Sequence, residues 1–213
     1  LLKNPTVNWL YSGEPEESTN GRRLAVPRGK MLGGSSSING LAFVRGQSHD
    51  YDTWAQMGNQ GWSYRDVLPY FKRMESYTPS EGEEEFRGRD GPLRVTNPKV
   101  TDPLLSVVVK AAAEVGIPYN SDYNGASQDG IAMSQASIYG RRRMSTAACY
   151  LEPARKRQNL HIEINAHAQS LILEGKRCAG VRYSVNGQPR EARSGRDLII
   201  SGGSINSPQL LEL

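Results

Sequence analysis

The sequence is poor in the residues that build metal and disulfide sites. It has two cysteines, Cys149 and Cys178, and three histidines, His49, His161 and His167. Neither cysteine lies in a CxxC pair or at metal spacing from a histidine, so a disulfide framework and a Cys/His zinc site are not expected. No run of about 18 apolar residues occurs, so no membrane-spanning helix is expected. Aromatic residues make up only 8% of the chain and are not interleaved with the basic clusters Arg141–Arg143 and Arg155–Arg157. With a net charge of +4, those clusters read as a solvated basic face and not as a nucleic-acid site. GxGxxG, GxSxG and P-loop patterns are all missing, since Lys30 precedes Gly33-Gly34 instead of following a second glycine. Ser48, His49 and Asp50 are triad residue types, but adjacent residues cannot converge on one point. Asn4-Pro5-Thr6 is blocked by its proline as a glycosylation acceptor.

What is present describes a folded chain of 213 residues, 37% hydrophobic and 23% charged. That length allows one or two domains. Residue 1 is Leu, no charged apolar leader follows it, and Ser207-Pro208-Gln209-Leu210-Leu211 reads as a helix cut short, so a segment of a longer chain is expected. Residues 12–23 read as an exposed loop or short hairpin. Asp50–Met57 reads as a helix, and Ser63 caps a second one running to Met74. Pro79–Gly91, with its run Glu83–Glu85, reads as a polar loop, followed by a strand at Pro92–Thr96. Asp102-Pro103 opens an amphipathic helix with Leu104, Leu105, Val108, Ala111, Ala112 and Val115 on one stripe, stopped by Gly116. Ser145 caps a further helix interrupted at Pro153.

The apolar period then becomes two. Leu160, Ile162 and Ile164 predict a half-buried strand, with more strands at 170–174 and 180–185. Asn186-Gly187 predicts a tight hairpin into 191–193. Leu198-Ile199-Ile200 predicts a strand buried on both faces, ending in Gly202-Gly203 and a helix from Ser207. The fold class is mixed: α/β with α+β character, from two domains.

The segment Gly29–Gly40, GKMLGGSSSING, is the least ordinary part of the sequence. Gly33 and Gly34 let backbone approach a flat ligand closely, and three serines with Asn39 supply compact donors and acceptors. A tight turn with caps is the alternative that those features alone leave open. The longer stretch GKMLGGSSSINGLAFVRGQSHDYD resembles the first signature of the glucose–methanol–choline (GMC) oxidoreductases. GSINSPQLL from Gly203 is similar to the start of the second. GRDGPLRV, Asp122-x-Asn124-Gly125 and GRRRMSTAACYL resemble the choline-dehydrogenase-like branch.

The resemblance implies part of a GMC-type FAD-binding domain plus part of an antiparallel-sheet substrate domain. Residues 1–88 would be the FAD lid and flavin-contacting segment, 89–155 part of the substrate domain, and 156–213 a return to the FAD domain. Gly33, Gly34, Ser35, Asn39, Gly40, Leu41 and Ala42 would lie against the cofactor, largely through backbone. Gln169 would pair with the adenine by its backbone, Ser201–Ser204 would pass the dinucleotide, and residues 46–61 would form a lid. Some relatives attach flavin through a histidine where this chain has Ile38, so noncovalent FAD is implied. None of the three histidines matches the family's catalytic position, and no catalytic residue is expected in this chain.

The implied partners are a small alcohol substrate, oxygen or another electron acceptor, and the remaining segments of the same protein. A diverged lyase or decarboxylase on this fold, or a non-catalytic binding module, are the alternatives. A bacterial-type cytoplasmic setting is the expectation for compartment.

Overall fold

The computed structural model describes residues 2–79, 84–99 and 102–213. It divides into two compact units, Leu1–Lys156 and Arg157–Leu213.

The first unit opens with an antiparallel hairpin, β1 (Tyr11–Ser12) against β2 (Ala25–Val26). Its base is held by the buried Asn8 side chain. Asn8 Oδ1 accepts from Leu10 N at 3.1 Å and Arg28 N at 3.0 Å, while Nδ2 donates to Leu2 O at 2.6 Å. Helix α1 (Ser48–Gln56) starts at a reciprocal capping box between Gln47 and Asp50. Helix α2 (Tyr64–Met74) starts at Ser63, and Pro69 lies inside it.

Glu75 then begins β3 (Glu75–Tyr77), which pairs in parallel with β4 (Leu93–Val95), and all three residues of β3 are buried. Helix α3 (Pro103–Glu114) is capped by Asp102, whose carboxylate accepts from Leu104 N at 2.9 Å. Asp102→Ala should therefore cost about 1 kcal/mol in equilibrium unfolding. The apolar stripe is correctly placed on α3, but only Ala112 is buried, and Leu104, Val108 and Val115 are exposed. Periodicity specifies which face seeks cover, and it does not supply the cover.

Strand β5 (Ile138–Tyr139) pairs with β6 (Arg142–Arg143). A π-turn (Ala147–Leu151) runs directly into α4 (Glu152–Ala154), so Pro153 sits inside the helical segment and does not interrupt it. Of the acidic run, Glu83 lies outside the described residues, and Glu84 and Glu85 are exposed. The loop around them is not simply polar surface, because Arg87 and Gly88 are buried.

The second unit is a three-stranded antiparallel meander of β7 (Ala166–Glu174), β8 (Arg177–Val185) and β9 (Gln188–Arg193). Asn186 (φ 51°) and Gly187 (φ 79°) take the left-handed conformations of a type I′ turn, which matches the strand twist. Ile172, Ala179 and Val185 are its buried apolar residues. Helix α5 (Gly203–Glu212) closes the chain.

Three expectations fail here. Residues 160–164 and 198–200 form no strand, and Ile199 is 85% exposed. A strand needs a ladder partner, and among the described residues neither run has one. Helix α5 begins at Gly203, four residues before the expected cap, and Pro208 removes one N–H from its ladder without ending it.

Candidate functional site

The glycine–serine loop turns sharply because Gly33 (φ 86°) and Gly34 (φ 52°) are both left-handed, and it continues as a 3-10 turn over Gly34–Ser37. Space demands some of its glycines as well. A Cβ on Gly29 would overlap the Gly34 carbonyl, and one on Gly33 would sit 2.5 Å from Ser37 Oγ.

The serine hydroxyls, expected as ligand groups, are committed to the loop itself. Ser36 Oγ donates to Gly33 O at 2.6 Å, Ser37 Oγ donates to Leu32 O at 2.9 Å, and Ser35 Oγ accepts from Gly29 N at 3.1 Å. Thr146 N donates to Ser36 Oγ at 2.9 Å, which ties the loop to the start of the π-turn.

Past the turn, Asn39 Oδ1 accepts from Leu41 N at 3.2 Å. Leu41 is itself left-handed (φ 69°), a conformation that costs a side-chain-bearing residue about 1–3 kcal/mol and needs support from its surroundings. That support comes from Ser137, whose N and Oγ donate to Leu41 O at 3.0 and 3.2 Å. Ala42 bridges Ala136, and Phe43 N donates to Gln135 O at 2.9 Å.

The structure thus holds Gly33, Gly34, Ser35, Asn39, Gly40, Leu41 and Ala42 in one hydrogen-bonded segment, with Ser35, Asn39, Gly40 and Ala42 exposed and Ile38 buried. Gln169 belongs to the other unit. It is the extra residue of a bulge in β7, between the pairs Ala168–Tyr183 and Ser170–Arg182, so it has no partner in the β8 register.

The glycine–serine loop leaves part of its backbone uncovered. From Gly29 to Arg45 it carries no carboxylate. A Cβ on Gly34 or Gly40 would meet no protein atom within 4 Å, so those two positions are open where Gly29 and Gly33 are filled. A cavity of about 410 Å³, bounded by Arg45, Tyr64, Tyr123, Asn124 and Gln128 among others, includes none of residues 33–42. His49, His161 and His167 lie on α1, in a loop and on β7, and none is in the glycine–serine segment.

Around Glu75 lies a buried charge network that sequence reading missed. Glu75 Oε1 accepts from Arg45 Nη2 at 2.5 Å, Arg87 Nε at 2.8 Å and Gly88 N at 2.9 Å, while Oε2 accepts from Arg87 Nη2 at 3.0 Å. Arg87 Nη1 also donates to Asp122 Oδ1 at 2.5 Å and Gln135 Oε1 at 3.0 Å. Asn124 Oδ1 accepts from Arg45 N at 2.8 Å.

Burial lowers the Arg45 pKa, and Glu75 only partly offsets it. Burial also works against the Arg87 charge, but hydrogen bonds and charge from Glu75, with the charge of Asp122, outweigh it and raise that pKa. Arg87 further stacks on the Tyr77 ring at 3.6 Å. The local signal was slight: Glu75 follows a helix in an otherwise ordinary ESY strand, and Arg87 sits among exposed acids.

The glycine–serine loop, free of carboxylates, is pinned from across the unit by Gln135, Ser137 and Thr146. The GMC oxidoreductase family model matches residues 10–213, and the chain belongs to that family. It is 46% identical over 206 residues to an oxygen-dependent choline dehydrogenase of Rhizobium johnstonii, and 46% identical over 208 residues to one of Brucella anthropi. Those alignments cover 97% and 98% of this chain but 37% of each relative. Among solved structures, pyridoxine 4-oxidase from "Mesorbium loti" matches with a TM-score of 0.90 at 27% identity, covering 96% of this chain and 40% of that one. An FAD-dependent oxidoreductase from Chaetomium thermophilum matches at 0.88 and 26%, covering 99% and 40%.

Proposed function

We propose that this chain is the cofactor-wall and lid portion of an oxidoreductase that oxidises the CH–OH group of an alcohol with noncovalent FAD. The observation that carries this reading is the loop at Gly33–Ala42, open at Gly34 and Gly40 and free of carboxylates.

Gly33, Gly34, Asn39, Gly40, Leu41 and Ala42 offer the cofactor backbone and compact surface, positioned in advance so that ordering is not paid on binding. Ile38 is a buried aliphatic side chain with no nucleophile, in keeping with a dissociable cofactor. The Gln169 bulge leaves a backbone edge suited to a purine. FAD, when bound, supplies acceptance of hydride at N5 from the alcohol carbon and passes the electrons to oxygen or another acceptor. Residues 46–61 cover the entrance, and the proton-accepting base comes from outside this chain. Residues 1–88 and 156–213 are assigned to the FAD domain and 89–155 to the substrate domain. Choline is the first alcohol to assay, because the curated relatives are choline dehydrogenases.

The natural protein carrying this sequence should show flavin absorption bands, and denaturation should release all of the flavin, with none on the polypeptide by intact mass. Gly40→Val is the clean test of the loop. Its φ lies outside the left-handed region and a Cβ there meets nothing, so the side chain costs the polypeptide little and occupies cofactor space. FAD affinity should fall about tenfold or more with the apoprotein melting temperature unchanged. A Val at Gly34 would confuse exclusion with backbone strain, since φ there is 52°. A colourless natural protein, or wild-type FAD affinity in the Gly40 variant, would overturn the reading.

A further inference from the structure

Arg143 ends β6 and reaches back over more than a hundred residues of sequence to the glycine–serine loop. Its Nη1 donates to Ser36 O at 3.2 Å, to Asn39 O at 2.8 Å and to Asn39 Oδ1 at 2.6 Å. Asn39 Oδ1 also accepts from Leu41 N, so one guanidinium holds both the turn and the side chain that sets the left-handed Leu41. Next to it, Thr146 fastens Ser36 and Gly33. The basic run Arg141–Arg143, read from sequence as a solvated face, therefore contains one member with a structural target.

We infer that Arg143 is the positioning residue of the cofactor loop: it holds Ser36–Leu41 in the one conformation that presents the loop's backbone to the flavin. This inference rests on the FAD reading above. The physical reason is preorganisation. A glycine-rich exposed segment would otherwise lose its conformational freedom on binding, at the expense of affinity. Hydrogen bonds from a charged donor to carbonyls are stronger than neutral ones. Arg143 acts through Asn39 and Leu41 and need not touch the cofactor.

The test is FAD titration onto deflavinated natural protein, read by quenching of flavin fluorescence, together with the melting temperature of each apoprotein. Arg143→Met should weaken FAD binding by about tenfold or more, equivalent to about 1.4 kcal/mol. Arg143→Lys should fall between it and wild type. Asn39→Ala should weaken binding similarly, and the double variant should be no worse than the larger single effect, because both act through one contact.

Wild-type FAD affinity in Arg143→Met overturns the inference. If Arg143→Met lowers the apoprotein melting temperature, Arg143→Lys decides, because it keeps the charge and a donor while changing the contacts to Ser36 and Asn39. Weakened FAD binding without a fall in melting temperature supports the inference, and unchanged binding overturns it. Failure of wild-type apoprotein to take up FAD at all would instead sink the functional reading on which this rests.

Discussion

Replacing Glu75 by Gln should lower the unfolding free energy by about 3–5 kcal/mol, the cost of removing one partner from a buried ion pair. Glu75 is 0% exposed and receives two guanidinium groups and one backbone amide. The amide side chain keeps nearly the same shape, so the loss is electrostatic: Arg45 and Arg87 remain buried with only Asp122 to balance them. Urea unfolding of the natural protein checks this, with an unchanged slope showing that the change lies in stability and not in compactness. The exposed pair Arg182–Glu191 is the internal contrast. Glu191→Gln should change stability by no more than about 1 kcal/mol, because water already screens that pair. Equal effects at the two sites would show that the network is solvated.

The second large effect is expected at Gly88. A Cβ there would overlap the Lys72 carbonyl and lie 2.8 Å from Glu75 O, and the Gly88 N–H already donates to Glu75 Oε1. The obstacle is backbone at the end of α2, which cannot rotate away as a side chain could. Gly88→Ala should destabilise by about 3 kcal/mol or more, at the upper end of overpacking costs. Gly195→Ala, where a Cβ meets nothing within 4 Å, should be nearly neutral in the same unfolding experiment.

Both effects come from contacts that tie loop 84–91 to the end of α2. Arg87 and Gly88 return to Glu75 across 12 and 13 residues, and Asp122 and Gln135 complete the cage from 35 and 48 residues further along. The cage also anchors Arg45, between the glycine–serine segment and α1.

Short-range features were legible from the amino-acid sequence alone. Asp102, Ser63 and the Asn186-Gly187 turn act within two or three residues of themselves, so sequence neighbours determine them, and α1, α2, α3 and the β8–β9 hairpin follow. The length and order of the glycine–serine signature also marked the loop and the family. The strands expected at 160–164 and 198–200 failed for the opposite reason: a strand is completed by a partner, and periodicity names only a face.

Tertiary structure alone decided where charge is buried and which basic residue is structural. Arg87 is the same residue type as the half-buried Arg89 two positions on, and Arg143 the same as the exposed Arg141 and Arg142. What distinguishes them is the simultaneous arrival of acceptors from distant segments, without which the buried guanidinium of Arg87 would be too costly to keep.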